Sequence, residues 1–263
     1  MLQQPLDSGP TLHTATYPSL KGRKVIISGG GSGIGEGIVE AFVRQGAAVA
    51  FVDIQEEPSE ELIERLSNAE IPPHFVHCDI TDCDDYGHKI GKMIEKLGGC
   101  DVLINNAASD DRHSIMDVTP DDWDKAMAVN LKHQFFAAKA VVPSMREAGA
   151  GSIVNLGSIS WHLGLEDLAV YQTAKAAIEG LTRSLARELG PDNIRVNTVI
   201  PGNVQTPRQM QWYTPEGEAE IVAAQCLKGR IQPVDIAAMV LFLASDDARF
   251  CTAHNYWVDA GWR

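Results

Sequence analysis

Tyr171 and Lys175 stand four residues apart, and Ser158 lies thirteen residues before the tyrosine. Four-residue spacing on a helix places two side chains on neighbouring turns of one face. A phenol with a pKa near 10 is a poor base at neutral pH. An ammonium beside it favours the phenolate and lowers that value. Each unit of lowering costs about 1.4 kcal/mol, so two or three units is a modest demand. Ser158 follows a strand-like run in Leu156-Gly157-Ser158, where its hydroxyl can hold a reacting oxygen beside Tyr171. A second Tyr-x-x-x-Lys, at Tyr17 and Lys21, is set aside because Pro18 follows the tyrosine and the segment precedes the first strand.

A second constellation lies upstream. The run Ser28-Gly29-Gly30-Gly31-Ser32-Gly33-Ile34-Gly35 joins the first apolar run to the first helical pattern. Glycine permits a tight turn and lets backbone N–H groups approach a pyrophosphate, and the helix start adds partial positive charge. No Gly-Lys-Ser or Gly-Lys-Thr follows, which disfavours a nucleoside-triphosphate loop. The second apolar run ends in Asp53, twenty residues after Gly33. A carboxylate there can accept both ribose hydroxyls of NAD and repels the 2′-phosphate of NADP. Its neighbours Ser32, Ile54 and Gln55 include no basic residue, so the expectation is NAD over NADP. A cationic nicotinamide would add to the pull of Lys175 on the phenol. Cys78-Asp79-Ile80 would lie at the adenine, and Asn105-Asn106-Ala107-Ala108 would pass beside the cofactor.

The elements that must position these residues alternate along the chain. Apolar, β-branched runs occur at Lys24–Ser28, Val49–Asp53, His74–Cys78, Asp101–Asn105, Ser152–Leu156, Ile194–Ile200 and Tyr256–Asp259. They are continuous rather than alternating, which predicts strands covered on both faces of a parallel sheet. Helical patterns fill the intervals at Gly33–Gln45, Ser59–Ser67, Cys83–Leu97, Asp121–Glu147, Tyr171–Leu189, Glu216–Cys226 and Pro233–Ala244. Such repetition predicts a doubly wound α/β (Rossmann) fold with ligands at the carboxyl ends of the strands. No linker or internal repeat divides the chain, so residues 21–263 read as one Rossmann-type domain behind a polar, partly flexible arm at 1–20.

Composition narrows the function further. The 263 residues are 44% hydrophobic and 22% charged, as expected of a globular chain with a core of its own. The net charge of −13 repels phosphate backbones and anionic membranes, which argues against nucleic-acid and membrane partners. Five cysteines, an odd number with no Cys-x-x-Cys, read as reduced, mostly buried thiols of a cytoplasmic protein rather than a metal site. The first twenty residues have neither a basic start nor an apolar run, so they do not read as a signal peptide.

The glycine loop, Asp53, Asn105-Asn106-Ala107, Asn130, Ser158, Tyr171-x-x-x-Lys175 and Pro201-Gly202 occur in the order and spacing of the short-chain dehydrogenases/reductases, which the chain resembles over about residues 21–263. The resemblance implies a seven-stranded parallel sheet of order 3-2-1-4-5-6-7 with helices on both faces. It implies that Tyr171 is the general base. Lys175 would lower its pKa and hold the nicotinamide ribose, Ser158 would position substrate, and Asn130 would keep a water in a proton relay. Cofactor contacts would come from Gly29, Ser32, Gly33, Ile34, Asp53, Asp79, Ile80, Asn106, Tyr171, Lys175, Gly202, Val204 and Thr206. Three departures are mild: Ser28 for the usual threonine, Ala108 for a glycine, and Ala260 for a glycine near the end. The helices at Asp121–Glu147 and Tyr171–Leu189 would pair between copies in a homotetramer.

The segments that vary within the family read Asp110-Asp111-Arg112-His113, Trp161 through Leu168, Trp212 through Glu218 and Tyr256 through Arg263. They are similar to those of the NAD-dependent D-xylose 1-dehydrogenases, which implies oxidation of a cyclic aldose at C1 to an aldonolactone. A sugar needs directional polar groups and often an aromatic face. Asn106, Arg112, His162, Glu166 and Asp167 could supply the first, and Trp161 or Trp212 the second, beside Ser158 and Tyr171. Pentoses and hexoses differ by one CH2OH, worth only about 1–3 kcal/mol, so L-arabinose, D-glucose and D-galactose stay open. Arg112 or Arg208 could instead read an anionic substituent such as the sulfonate of sulfoquinovose. An NADPH-dependent ketoreductase and a non-catalytic NAD-binding module are the competing readings. Asp53 opposes the first and the intact Ser158, Tyr171 and Lys175 the second.

Overall fold

The computed structural model describes residues 15–211 and 213–262. Seven parallel strands form one sheet: β1 (Lys24–Ser28), β2 (Ala48–Asp53), β3 (His74–His77), β4 (Val102–Asn105), β5 (Gly151–Leu156), β6 (Ile194–Pro201) and β7 (Asn255–Val258). Their spatial order is β3-β2-β1-β4-β5-β6-β7, as expected. The order reverses between β1 and β4, where Ser28 pairs with Asn105. A crevice opens at such a switch point, outside the carboxyl ends of the strands.

Successive strand side chains point to opposite faces. Val25 and Ile27 pack into one core layer and Ile26 into the other. The first layer lies under α1 (Gly33–Arg44) and α10 (Pro233–Ala244), with Phe42, Val240 and Leu241 fully buried. The second lies under α3 (Cys83–Leu97), α5 (His133–Ala148) and α7 (Ala169–Leu189), with Ile90, Val141 and Leu185 inside. Burial on both faces is the physical reason the strand runs are apolar throughout.

The remaining helices are α2 (Glu56–Arg65), α4 (Pro120–Met127), α6 (Ser160–Leu163), α8 (Pro207–Met210) and α9 (Pro215–Ala224). The single helix expected at Asp121–Glu147 is instead two, α4 and α5, joined by a π-helical turn over Ala128–Lys132. A π turn adds one residue without breaking the apolar stripe, so periodicity alone did not reveal it. The helices α6 and α8 are four residues each, too short to carry a period. The cysteines are all free, but only Cys78 and Cys100 are buried; Cys83 and Cys251 are half-buried and Cys226 is exposed, against the expectation of mostly buried thiols. Of the arm expected at 1–20, residues 1–14 lie outside the described residues. Leu20 is fully buried, and the Tyr17 N–H donates to Gln45 Oε1 at 2.8 Å. Among the described residues no helix is long and apolar enough to cross a membrane.

Candidate active site

The strand β5 delivers Ser158 two residues beyond its end, and α7 brings Tyr171 and Lys175 beside it. Lys175 is 2% exposed, and its Nζ donates to the Leu156 carbonyl at 2.9 Å. The same Nζ sits 5.5 Å from the centre of the Tyr171 ring. Ser158 Oγ accepts the Ser160 N–H at 3.1 Å and donates to Ser160 Oγ at 2.9 Å, which fixes the position of its hydroxyl. The Lys175 ammonium alone does not bring the Tyr171 phenol below its ordinary value. Burial pushes the phenol up, and the hydrogen bond with Ser158 offsets that only in part. Burial also depresses Lys175, from 10.5 to about 8. Desolvation thus outweighs the ion–phenol attraction that the four-residue spacing suggested.

Asn130, in the π turn, is fully buried. Its Oδ1 accepts the Ser109 N–H at 3.0 Å, and its Nδ2 donates to the carbonyls of Ser109 (2.9 Å) and Ala126 (3.0 Å). The side chain therefore anchors the loop after β4. His133, one residue past the turn, was not anticipated. Its Nε2 lies 3.1 Å from the Ala107 carbonyl, and burial with Lys175 nearby holds its pKa down at about 3. No isolated histidine gives a sequence signal for such a role.

The glycine loop is pressed against Phe51 of β2, Ser59 of α2 and Ala107 after β4. A Cβ on Gly31 would stand 2.3 Å from Ser59 Oγ, and one on Gly35 would stand 1.7 Å from the Gly29 carbonyl oxygen. Gly29 and Gly33 have φ of 68° and 59°, a left-handed backbone that disfavours other residues. Ser32 caps α1 without a side-chain hydrogen bond, which leaves the first N–H groups of a twelve-residue helix facing the crevice. Asp53 is 7% exposed, and its carboxylate accepts Gly31 N–H (2.8 Å) and Gln55 N–H (2.9 Å). Gln55 also donates to Ser32 Oγ at 3.2 Å, and Arg65 is held by Glu36 and Glu40. Asn106 donates to the carbonyl oxygens of Gly29 (2.8 Å) and Ser28 (3.3 Å), which binds the loop after β4 to the cradle. Thr206 approaches Gly33 from the far wall, its Cγ2 3.3 Å from where a Cβ would stand. The orphan helix N–H groups and the oriented Asp53 fit a dinucleotide. Ile34 is half-buried, Val204 and Ile80 are buried, and exposed Asp79 accepts Thr81 hydrogen bonds that lower its pKa. A Cβ on Gly202 would stand 2.7 Å from Asp259.

The expected sugar residues divide into groups. Trp161 Nε1 donates to Glu179 Oε1 at 2.9 Å, and His162 Nε2 lies 2.9 Å from the same oxygen. The centre of the His162 ring lies 3.6 Å from that of Trp161, the two rings tilted by 33°, and 4.3 Å from that of Trp257, which it meets edge-on. Glu179, four residues beyond Lys175 on α7, thereby fixes both polar edges; nothing in the local pattern paired it with α6. Arg112 donates to the Glu166 carbonyl at 3.3 Å, tying the loop after β4 to the loop after α6, and both side chains are exposed. Arg208 is bound to Asp110 and Asp111 at 3.1 and 2.8 Å. Trp212 lies outside the described residues.

A family model described as enoyl-(acyl carrier protein) reductase matches residues 29–263. A D-xylose 1-dehydrogenase of Caulobacter vibrioides is 58% identical over 252 residues, which cover 96% of this chain and 100% of that one. A protein of Rhizobium meliloti named "Probable galactose dehydrogenase" is 46% identical, over 95% of this chain and 99% of its own. A solved structure from Sinorhizobium meliloti 1021, described as a short-chain alcohol dehydrogenase, superposes with a TM-score of 0.88 at 30% identity, covering 93% of this chain and 98% of that one. Dehydrogenases of this kind use a nicotinamide cofactor. With fold, glycine cradle and Ser158-Tyr171-Lys175 trio all in place, the chain belongs to the short-chain dehydrogenase/reductase family.

Proposed function

We propose that the protein is an NAD-dependent sugar 1-dehydrogenase of the cytoplasm, oxidising a cyclic aldose of the D-xylose type at C1 to its aldonolactone. The observation that carries the sugar is the 58% identity to a D-xylose 1-dehydrogenase across 96% of the chain. The galactose-named relative, at 46%, keeps a hexose as the second reading. Asp53 supports NAD: its buried carboxylate would meet a 2′-phosphate, and the nearby cation Arg65 is engaged by two glutamates. Exposed Trp123 and Phe135, on α4 and α5, suit assembly of copies into the homotetramer through that face.

A bound nicotinamide dinucleotide supplies the two-electron acceptor for the C1 hydrogen. The residues of this chain do the rest. Ser158 hydrogen-bonds the anomeric oxygen, and Tyr171 takes the proton of that hydroxyl as the C1–O bond becomes a lactone carbonyl. Lys175, fixed by the Leu156 carbonyl, holds positive charge beside the phenol and reaches toward the ribose. Asp53 would accept the adenosine ribose hydroxyls, and the α1 N-terminus the pyrophosphate. Because burial keeps the phenol protonated, kcat/KM for oxidation rises with pH from neutral into the alkaline range.

Turnover of D-xylose, L-arabinose, D-glucose, D-galactose and sulfoquinovose with NAD and with NADP tests the reading. Tyr171→Phe should lower kcat by at least a factor on the order of 10³ while NAD binding, read by fluorescence, persists. Undiminished lactone formation by that variant, or no turnover of any aldose by the wild type, refutes the proposal.

A further inference from the structure

Two segments face each other across the mouth of the crevice. Ser109, Asp110 and Asp111 follow β4, and Arg208 and Gln209 lie on α8. Arg208 Nε is 3.1 Å from Asp110 Oδ1 and Arg208 Nη2 is 2.8 Å from Asp111 Oδ1. Gln209 Nε2 donates to Asp110 Oδ2 at 2.7 Å. One guanidinium shared by two carboxylates leaves one negative charge in excess. Such a cluster repels a sulfonate or phosphate, so Arg208 is not free to read an anionic substituent.

The two acids are not equivalent. The Asp111 side chain is 83% exposed, and its second oxygen accepts the Ser109 hydroxyl at 2.7 Å. The Asp110 side chain is only 33% exposed and acts electrostatically on both Tyr171 and Lys175, favouring the protonated form of each. Asp110 lies five residues beyond the carboxyl end of β4, on the side of the sheet where ligands bind, and is tied to α8, whose cap residue Thr206 approaches Gly33 of the cradle. An ionised carboxylate offers about four acceptor positions, of which Arg208 and Gln209 occupy two. Its orientation is fixed from both sides. Tyr213 donates its hydroxyl to Gln209 Oε1 at 2.8 Å, so the carboxamide of Gln209 must turn its NH2 to Asp110. Below, Asn130 grips Ser109 through both its N–H and its carbonyl.

We propose that Asp110 is a specificity-determining residue: its carboxylate, clamped by Arg208 and Gln209, accepts hydroxyls of the polyol next to the carbon oxidised beside Tyr171. The inference rests on the sugar reading above and gives the site a chemical class of substrate, a neutral polyhydroxylated ring. A preoriented acceptor of this kind discriminates by hydroxyl rather than by size, because a ring lacking the hydroxyl leaves a desolvated carboxylate without its donor.

The test is a cycle of enzyme and substrate changes on the full chain with NAD. Wild type, Asp110→Asn and Asp110→Ala are assayed on the best aldose and on its 2-, 3- and 4-deoxy analogues, with folding checked by circular dichroism. In the wild type, kcat/KM should fall roughly tenfold or more for at least one deoxy sugar, and in Asp110→Ala that preference should collapse toward unity. Asp110→Asn, which keeps one acceptor oxygen, should lie between and covers the case in which the alanine variant does not fold. The loss for the parent aldose should appear mainly in KM. A preference that survives in both variants, or a parallel loss on parent and deoxy sugars alike, overturns the assignment and makes Asp110 a structural residue. A wild type that oxidises no aldose refutes the sugar reading itself, a different result from an aldose dehydrogenase indifferent to Asp110.

Discussion

Lys175 offers a measurement of its electrostatic cost that requires neither substrate nor cofactor. Its folded pKa of about 8 lies below the ordinary 10.5 because burial penalises the ammonium. Between those values the unfolded chain holds more protons than the folded one, so stability climbs as pH rises from about 8 to 10.5. Below pH 8 the full penalty applies, on the order of 3 kcal/mol at about 1.4 kcal/mol per unit. Lys175→Met removes that titration. It also leaves the Leu156 carbonyl without its 2.9 Å donor, a loss that does not change with pH. The difference between variant and wild type, followed against pH, therefore cancels the lost hydrogen bond and isolates the charge. From pH 7 to pH 10 the wild type should gain roughly 2.5 kcal/mol relative to the variant. For a domain of this size that amounts to a relative Tm change of about 5–10 °C. Differential scanning fluorimetry of both proteins across pH 7–10 reads it. Parallel Tm curves would mean that Lys175 titrates alike folded and unfolded, and the reasoning from burial would fail.

Two further outcomes follow from the same structure. His133, held neutral by burial with a pKa of about 3 against 6.5, costs stability as pH falls through that window, on the order of 5 kcal/mol in full. His133→Gln should therefore flatten the acid limb of urea-denaturation stability between pH 6.5 and 4, and an unchanged limb would contradict the assignment. Gly31→Ala places a methyl 2.3 Å from Ser59 Oγ and should destabilise by about 1–3 kcal/mol. Adding Ser59→Ala should recover part of that loss in Tm, and no recovery would show that the contact is not the cause.

The strands and the principal helices were readable because each depends on local pattern, while the sheet order came with the family resemblance rather than from any local signal. The cradle was readable for a related reason: Gly29, Gly31, Gly33 and Gly35 are demanded by backbone conformation and close approach, and glycine is the residue that meets both. What stayed hidden rests on partners far apart in the chain. The capture of Trp161 and His162 by Glu179, and of Arg208 by Asp110, joins residues 18, 17 and 98 positions apart. Each was assigned to the sugar from its type and its place after a strand, while the structure gives its polar atoms protein partners.

The Tyr171–Lys175 pair shows how such hidden context changes chemistry rather than only geometry. Spacing specifies that an ammonium lies near a phenol, and attraction alone would lower the phenol's pKa. It does not specify that α7 lays both against the end of β5, where Lys175 is 2% exposed, its Nζ lies 5.5 Å from the centre of the Tyr171 ring, and desolvation of charge is the largest influence on either group. In the free protein the pair is consequently biased toward a neutral phenol and a weakly held lysine proton. Positive charge arriving in the cradle stabilises the phenolate, the form that oxidation needs, and a phenolate in turn favours the Lys175 ammonium beside it. On this argument base strength is coupled to cofactor occupancy, and the same residues are a poor base until the crevice is filled.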